Sequence, residues 1–281
     1  MKIYKIETGN LMLDGGALFG VVPKSLWAEK YPADEKNLCN LSMRSMMIDA
    51  GDRKILIDTG IGNKQDEKFF SYYYLNGTAT LEGSLKKAGF SKNDITDVVL
   101  THLHFDHCGG GVEYNEENMP VPAFKKARYW VSRQQWEWAE SPNQREKSSF
   151  LKENFVPLKE NGQIEFIERD FEIVPGVELR LFNGHTDGQI IPFIRYNNKT
   201  LVFVGDLIPT SAHVPLSWLC AYDTKPLVAF DEKKEFLEEA LNNDYTLFFE
   251  HDINAECCNL KMTEKGIRVG KCFTLNNFLS G

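Results

Sequence analysis

The sequence predicts one α/β domain over residues 1–281, and three observations carry that prediction. Short β-branched and aliphatic runs alternate with one-sided helical spacing, as where Leu81, Leu85 and Ala88 precede Val98–Thr101. Strands repeatedly run out onto residues that carry chemistry: 98–101 onto His102, 177–182 onto Gly184-His185, 200–204 onto Gly205-Asp206 and 245–249 onto Glu250-His251. No internal repeat, low-complexity tract or linker divides the chain.

Taken in order, residues 2–7 alternate as a strand, and Asp14-Gly15-Gly16 marks a turn. Met43–Ile48, the turn 50–52 and Lys54–Ile57 form a hairpin ending at Asp58-Thr59-Gly60. A helix over 81–88 stops at Gly89. Arg128–Val131 reads as a strand and Gln134–Ala139 as a helix. The polar stretch 140–163, with Pro142, Pro157 and Gly162, reads as surface chain. Val177–Phe182 is the next strand, Ile190–Tyr196 and Thr200–Val204 form a hairpin, and a helix capped by Asp231 buries Phe236, Leu237, Ala240 and Leu241. Tyr245–Phe249 is the last strand predicted.

Composition narrows the function classes. With 42% hydrophobic and 26% charged residues the chain is an ordinary globular protein able to bury a core. A formal charge of −8 without a long basic run repels a nucleic-acid backbone, so no nucleic-acid partner is expected. No apolar stretch approaches the roughly 20 residues that span a bilayer, and Met-Lys-Ile-Tyr-Lys-Ile-Glu lacks a signal core; no membrane role and a cytoplasmic location are expected. The six cysteines show no paired C-x-x-C spacing and read as free thiols. Cys108 is either a thiolate ligand or a small residue behind the ligand loop.

The densest chemistry is Thr101-His102-Leu103-His104-Phe105-Asp106-His107, which holds half of the chain's six histidines. On extended chain His102, His104 and Asp106 project to one side. A turn starting near Asp106 swings His107 back, so that it and Asp106 serve a second metal position.

This stretch resembles the H-x-H-x-D-H signature of the metallo-β-lactamase-fold metallohydrolases. The resemblance implies a four-layer αββα sandwich with mixed, mainly antiparallel sheets and a dinuclear site at one edge. Asn183-Gly184-His185-Thr186-Asp187-Gly188 is similar to the G-H-T-x-G element that supplies a further histidine, and Asp206 stands where the family has a bridging carboxylate. By the same resemblance His102, His104 and His185 hold one metal, Asp106, His107 and His251 the other, and Asp58, in the L-I-D-T-G element, supports a histidine ligand. Two zinc ions per chain are expected, with iron, manganese or cobalt compatible with the same donors. His104, where flavodiiron relatives carry glutamate, argues for hydrolysis. Two metals about 3.5–4 Å apart bridge a hydroxide and polarise the bond under attack, while Asp106 steers the nucleophile or passes a proton to the leaving group.

The Asp14–Trp27 arm and 207–213 resemble the branch containing N-acyl-homoserine lactonases, which implies a lactone or related ester as small-molecule substrate. Phe19, Trp27, Phe105 and Trp218 are candidate walls for an acyl tail. Many of those lactonases carry a tyrosine where this chain has Pro209, and Tyr222 or His213 are candidates for its role. The rival functions are a glyoxalase II-like thioesterase, for which Lys261–Lys271 offers only a weak basic region, a phosphotriesterase or aryl esterase, and a non-catalytic metal-binding scaffold. A homodimer is left open.

Overall fold

The computed structural model describes residues 1–281. Its strands are β1 (Lys2–Asp14), β2 (Leu38–Asp49), β3 (Lys54–Ile57), β4 (Asp97–Val99), β5 (Val112–Tyr114), β6 (Pro120–Pro122), β7 (Arg128–Ser132), β8 (Ile164–Ile167), β9 (Phe171–Val174), β10 (Val177–Phe182), β11 (Gln189–Tyr196), β12 (Lys199–Phe203), β13 (Thr246–Phe248), β14 (Cys257–Thr263) and β15 (Gly266–Phe273). They build a six-stranded sheet ordered β1-β2-β3-β4-β7-β8, a seven-stranded sheet ordered β15-β14-β13-β12-β11-β10-β9, and the ribbon β5-β6. The mixed α/β class is as the sequence predicts. No helix is long and apolar enough to cross a membrane.

The chain divides into two compact units, the first comprising residues 1–10, 43–170 and 188–190. Here β2 and β3 pair antiparallel, Met46 opposite Ile57 and Asp49 opposite Lys54, as the hairpin pattern requires. From β3 onward the pairing is parallel through β4, β7 and β8, so this sheet is less antiparallel than expected. Parallel neighbours need a crossover. The helix Leu81–Lys87 supplies it between β3 and β4, and the helices Arg133–Glu140 and Val156–Glu160 between β7 and β8. All of β4 is buried, which accounts for its unbroken apolar reading. It packs in a core with Leu56, Leu85, Tyr129, Trp136 and Phe155.

One expectation fails in this unit. The stretch 140–163 buries Phe150, Phe155 and Leu158 rather than running over the surface. Its apolar residues show no period because it is built from two 3-10 turns, Lys147–Ser149 and Lys152–Asn154, and a short helix with Pro157 in its first turn.

The second unit comprises residues 11–42, 171–187 and 191–281. Its one parallel pair among those with recorded register, β12 with β13, is joined by the 17-residue helix Pro226–Asn242. That helix begins at Pro226, whose fixed φ suits a first turn, and Asp231 lies within it rather than capping it. Its buried face is Ala229, Lys233, Phe236, Leu237 and Ala240.

Candidate metal centre

In the first unit the chain leaves β4 extended and then enters the one-turn helix Phe105–Cys108, the turn expected near Asp106. That turn sets His107 Nε2 3.8 Å from Asp106 Oδ2, while His102 Nε2 and His104 Nδ1 face each other at 3.0 Å. The chain can close in behind the turn because residue 109 is glycine: a Cβ there would stand 2.1 Å from the Ile61 carbonyl oxygen.

Asp58, fully buried, organises two of these imidazoles. Its Oδ1 accepts from the Thr101 N–H at 2.7 Å, and its Oδ2 accepts from the Thr101 hydroxyl at 2.6 Å and from His107 Nδ1 at 3.1 Å. Having given its proton to Asp58, the Thr101 hydroxyl accepts from His102 Nδ1, 3.0 Å away. Both histidines are thereby left with a lone pair on Nε2. His104 is held from the other nitrogen: its Nε2 donates to Glu146 Oε1 at 2.9 Å, and Glu146 Oε2 accepts from Trp138 Nε1 at 2.6 Å. Cys108 is fully buried behind the turn, burial pushes its thiol up to about 12, and it donates to the Leu103 carbonyl.

In the second unit Asp206 stands between two histidines. Its Oδ2 lies 3.0 Å from His185 Nε2 and its Oδ1 3.1 Å from His251 Nε2. His185 Nδ1 is fixed by Asp223 Oδ1 at 3.0 Å and His251 Nδ1 by the Ser42 carbonyl at 2.9 Å. The loop before His185 lies tightly on the long helix: a Cβ at Gly184 would meet Ala229 Cα at 2.2 Å, and the N–H groups of Asn183 and Gly184 each donate to Glu232 at 2.8 Å.

Both sets of donors suit a bound cation. Each of the five histidines has one nitrogen on a protein partner and the other turned toward a fellow ligand, the arrangement that metal-binding imidazoles require. Burial opposes charge on His185 most strongly, yet Asp206 and then Asp223 outweigh it and push its pKa up to about 10. Two carboxylates on one imidazole demand a positive charge, proton or metal. Nitrogen-rich donors of this kind suit zinc, iron or cobalt better than magnesium or calcium.

Asp14 accepts from the Ala17 N–H at 3.0 Å and caps the helix Gly15–Phe19. Phe19 is stacked between Trp27 (5.0 Å, 12°) and His213 (4.6 Å, 5°), with Trp218 edge-on at 6.0 Å. Phe19, Trp27 and His213 are all buried to within 1%. Phe19 and Trp27, the candidate walls for an acyl tail, thus sit in one aromatic cluster with His213 and Trp218. His213 Nε2 donates to the Leu18 carbonyl at 2.9 Å and Nδ1 accepts from the Thr210 hydroxyl at 2.8 Å. Burial pushes its pKa down to about 4. With both nitrogens committed and the ring neutral, His213 has no proton to offer a substrate.

Tyr222 is exposed and Trp218 half-buried on the loop before Asp223. Lys233, almost wholly buried, holds that loop by donating to the carbonyls of Pro215 (3.0 Å) and Trp218 (2.8 Å), and burial lowers its pKa to about 7. Phe105, 8% exposed, meets Phe69 at 5.3 Å and Tyr73 at 4.6 Å. Burial pushes the Tyr73 phenol up to about 12, with Asp106 adding to the effect.

Sequence reasoning missed Thr101, Glu146, Asp223 and Lys233. Thr101 adjoins the motif and was legible there as a hydroxyl beside the first histidine. Glu146 fell in the stretch read as surface, and Asp223 stands 38 residues from the histidine it supports, with no local pattern to mark it.

Residues 44–243 match the family described as the Metallo-beta-lactamase superfamily. An N-acyl homoserine lactonase of Bacillus cereus is 26% identical over 272 residues, covering 91% of this chain and 94% of that protein. A solved structure of a probable metal-dependent hydrolase from Staphylococcus aureus superposes with a TM-score of 0.89 at 30% identity, covering 97% of this chain and 96% of the other. AidC, a dizinc quorum-quenching lactonase solved with a product, N-hexnoyl-L-homoserine, has a TM-score of 0.80 at 21% identity over 97% of this chain and 95% of its own, a likeness of fold.

Proposed function

The chain belongs to the metallo-beta-lactamase superfamily and is a metal-dependent hydrolase, and from that premise we propose that it opens lactones of the N-acyl-homoserine type at a dizinc centre. The observation that carries the dinuclear reading is Asp206, whose two oxygens each face a different histidine. In this reading His102, His104 and His185 would hold one ion and Asp106, His107 and His251 the other, with Asp206 available to both. Similarity to a lactonase along nearly the whole chain supports the lactone, and the dizinc centre of AidC supports zinc.

When bound, the two ions supply Lewis acidity, polarising the carbonyl and ionising the attacking water near neutral pH. The chain's own residues do the rest. Asp58, Glu146, Asp223 and the Ser42 carbonyl hold the ligand imidazoles in the tautomers that leave a lone pair for metal. Asp106, whose side chain is 13% exposed, would take the proton that the attacking hydroxyl loses as its oxygen bonds to the carbonyl carbon, and pass it to the departing alkoxide oxygen as the ring C–O bond breaks. Phe105, Trp218 and Tyr222 offer apolar surface to the acyl tail. Residues 1–281 act as one cytoplasmic domain on a small molecule, with no nucleic-acid partner.

The test is a panel of acyl-homoserine lactones, glutathione thioesters, phosphotriesters and aryl esters given to zinc-loaded protein. Ring opening of the lactones in preference to the rest is expected. Rapid thioester or phosphotriester cleavage with intact lactones would replace this reading by one of its rivals, and no hydrolysis of any substrate would leave a metal-binding scaffold.

A further inference from the structure

We infer that Cys258 and Cys272 are a redox modification site: a small-molecule disulfide of the glutathione type oxidises them to a cross-strand disulfide that fastens the edge of the seven-stranded sheet. Both are free thiols, and they stand directly opposite each other in the antiparallel pair β14–β15. The kind of opposition follows from the strand on the other side. The Phe249 N–H donates to the Glu256 carbonyl at 2.9 Å, and in the same register Leu247 stands opposite Cys258. Hydrogen-bonded and non-hydrogen-bonded pairs alternate along an antiparallel ladder, so Cys258 turns its own N–H and C=O toward β13. Toward β15 it therefore makes a non-hydrogen-bonded pair with Cys272, the closer kind, with Cα atoms about 4.5 Å apart. A disulfide spans roughly 4.4–6.8 Å between Cα atoms. The ladder bulges only past Cys258, before Leu260.

The pleat singles out this pair. Cys257 points to the opposite face, across from Phe273. Cys258 is fully buried in a core with Phe236 and Leu247, whereas Cys272 is exposed. The two thiols feel each other: after burial itself, Cys272 is the largest influence raising the Cys258 pKa. Cys272 is thus the thiol that a dissolved oxidant reaches. Its thiolate attacks one sulfur of the reagent, that S–S bond breaks, and the first glutathione leaves. The Cys258 thiolate then attacks Cys272 Sγ in the mixed disulfide and releases the second glutathione. The two cysteine protons end on the two released thiols, and the two electrons lost by the cysteines reduce the reagent. The product closes residues 258–272 into a loop and joins β15, the outermost strand, covalently to β14. Such a link restricts the unfolded chain and so stabilises the folded one.

The experiment incubates the full zinc-loaded chain with oxidised glutathione at about pH 8.5, where a cysteine thiol begins to ionise, and maps the product by mass spectrometry. Wild type should lose two thiols, retain no glutathione and yield one peptide pair joined through Cys258 and Cys272. Its melting temperature should rise by several degrees and fall back on reduction with a phosphine. Cys258→Ala should stop at the mixed disulfide, with one glutathione on Cys272, and Cys272→Ala should take up none at Cys258. Glutathione retained on Cys272 of the wild type, a bond through Cys257 instead, or both thiols left intact would overturn the site. An oxidised wild type that melts no higher than the reduced one would overturn the fastening role. The wild-type map decides the matter even where a variant fails to fold, and no readout depends on which substrate the metal centre cleaves.

Discussion

Replacing Asp58 by asparagine tests how the ligand histidines are prepared. The amide keeps an acceptor for the Thr101 N–H, now 2.7 Å from Oδ1, but puts an NH2 where Oδ2 accepts from the Thr101 hydroxyl and from His107 Nδ1. An N–H facing Nδ1 forces the His107 proton onto Nε2. The Thr101 hydroxyl must turn to accept from the amide, so it donates to His102 Nδ1 and moves that proton to Nε2 as well. Two ligand atoms lose their lone pairs through one isosteric change. Loss of a partner that holds a ligand histidine costs about 10–100-fold in metal affinity; two such losses give roughly 100-fold at the least. The assay is zinc competition with a chromophoric chelator, alongside a melting curve of the metal-free protein to show that the fold persists. Unchanged zinc affinity in a folded Asp58→Asn protein would refute the argument.

Other consequences follow from the same geometry. Phe19→Ala removes the middle ring of the Trp27–His213 stack and should cost about 3–5 kcal/mol of stability, read by thermal or urea unfolding; a changed acyl-chain preference with unchanged stability would return Phe19 to a pocket wall. Lys233 is charged in both folded and unfolded chains below pH 7. Between about 7 and 10.5 the unfolded chain holds the proton that the folded chain has released, so stability rises with pH across that window. Lys233→Met should abolish this share of the rise, and parallel stability–pH profiles for the two proteins would contradict the assignment.

The parts of the molecule legible in sequence are those in which chemistry and local pattern coincide. His102, His104, Asp106 and His107 sit within six residues, and the buried strand before them reads as an unbroken apolar run because all of β4 is covered. His185, Asp206 and His251 follow the ends of strands. What escaped is held by long-range contact. Glu146 reaches His104 from irregular chain whose buried aromatics have no period. Asp223 reaches His185 from a distant loop, and the crossover that lets β7 pair parallel with β8 runs partly through the helix Val156–Glu160, in a stretch that reads as polar surface. Asp231 offered a cap pattern, but Pro226 set the helix start. Phe19 and Trp27 were recognisable as large aromatics in the arm, while nothing in their spacing revealed that Phe19 stacks between Trp27 and the distant His213.

The central claim, a lactone-opening dizinc hydrolase, is tested most directly by titrating metal-free protein with zinc while following acid release from an N-acyl-homoserine lactone. The account predicts that ring opening appears as the zinc content approaches two ions per chain and disappears when a chelator strips them. Full zinc loading without ring opening, or ring opening that survives complete removal of metal, would contradict it.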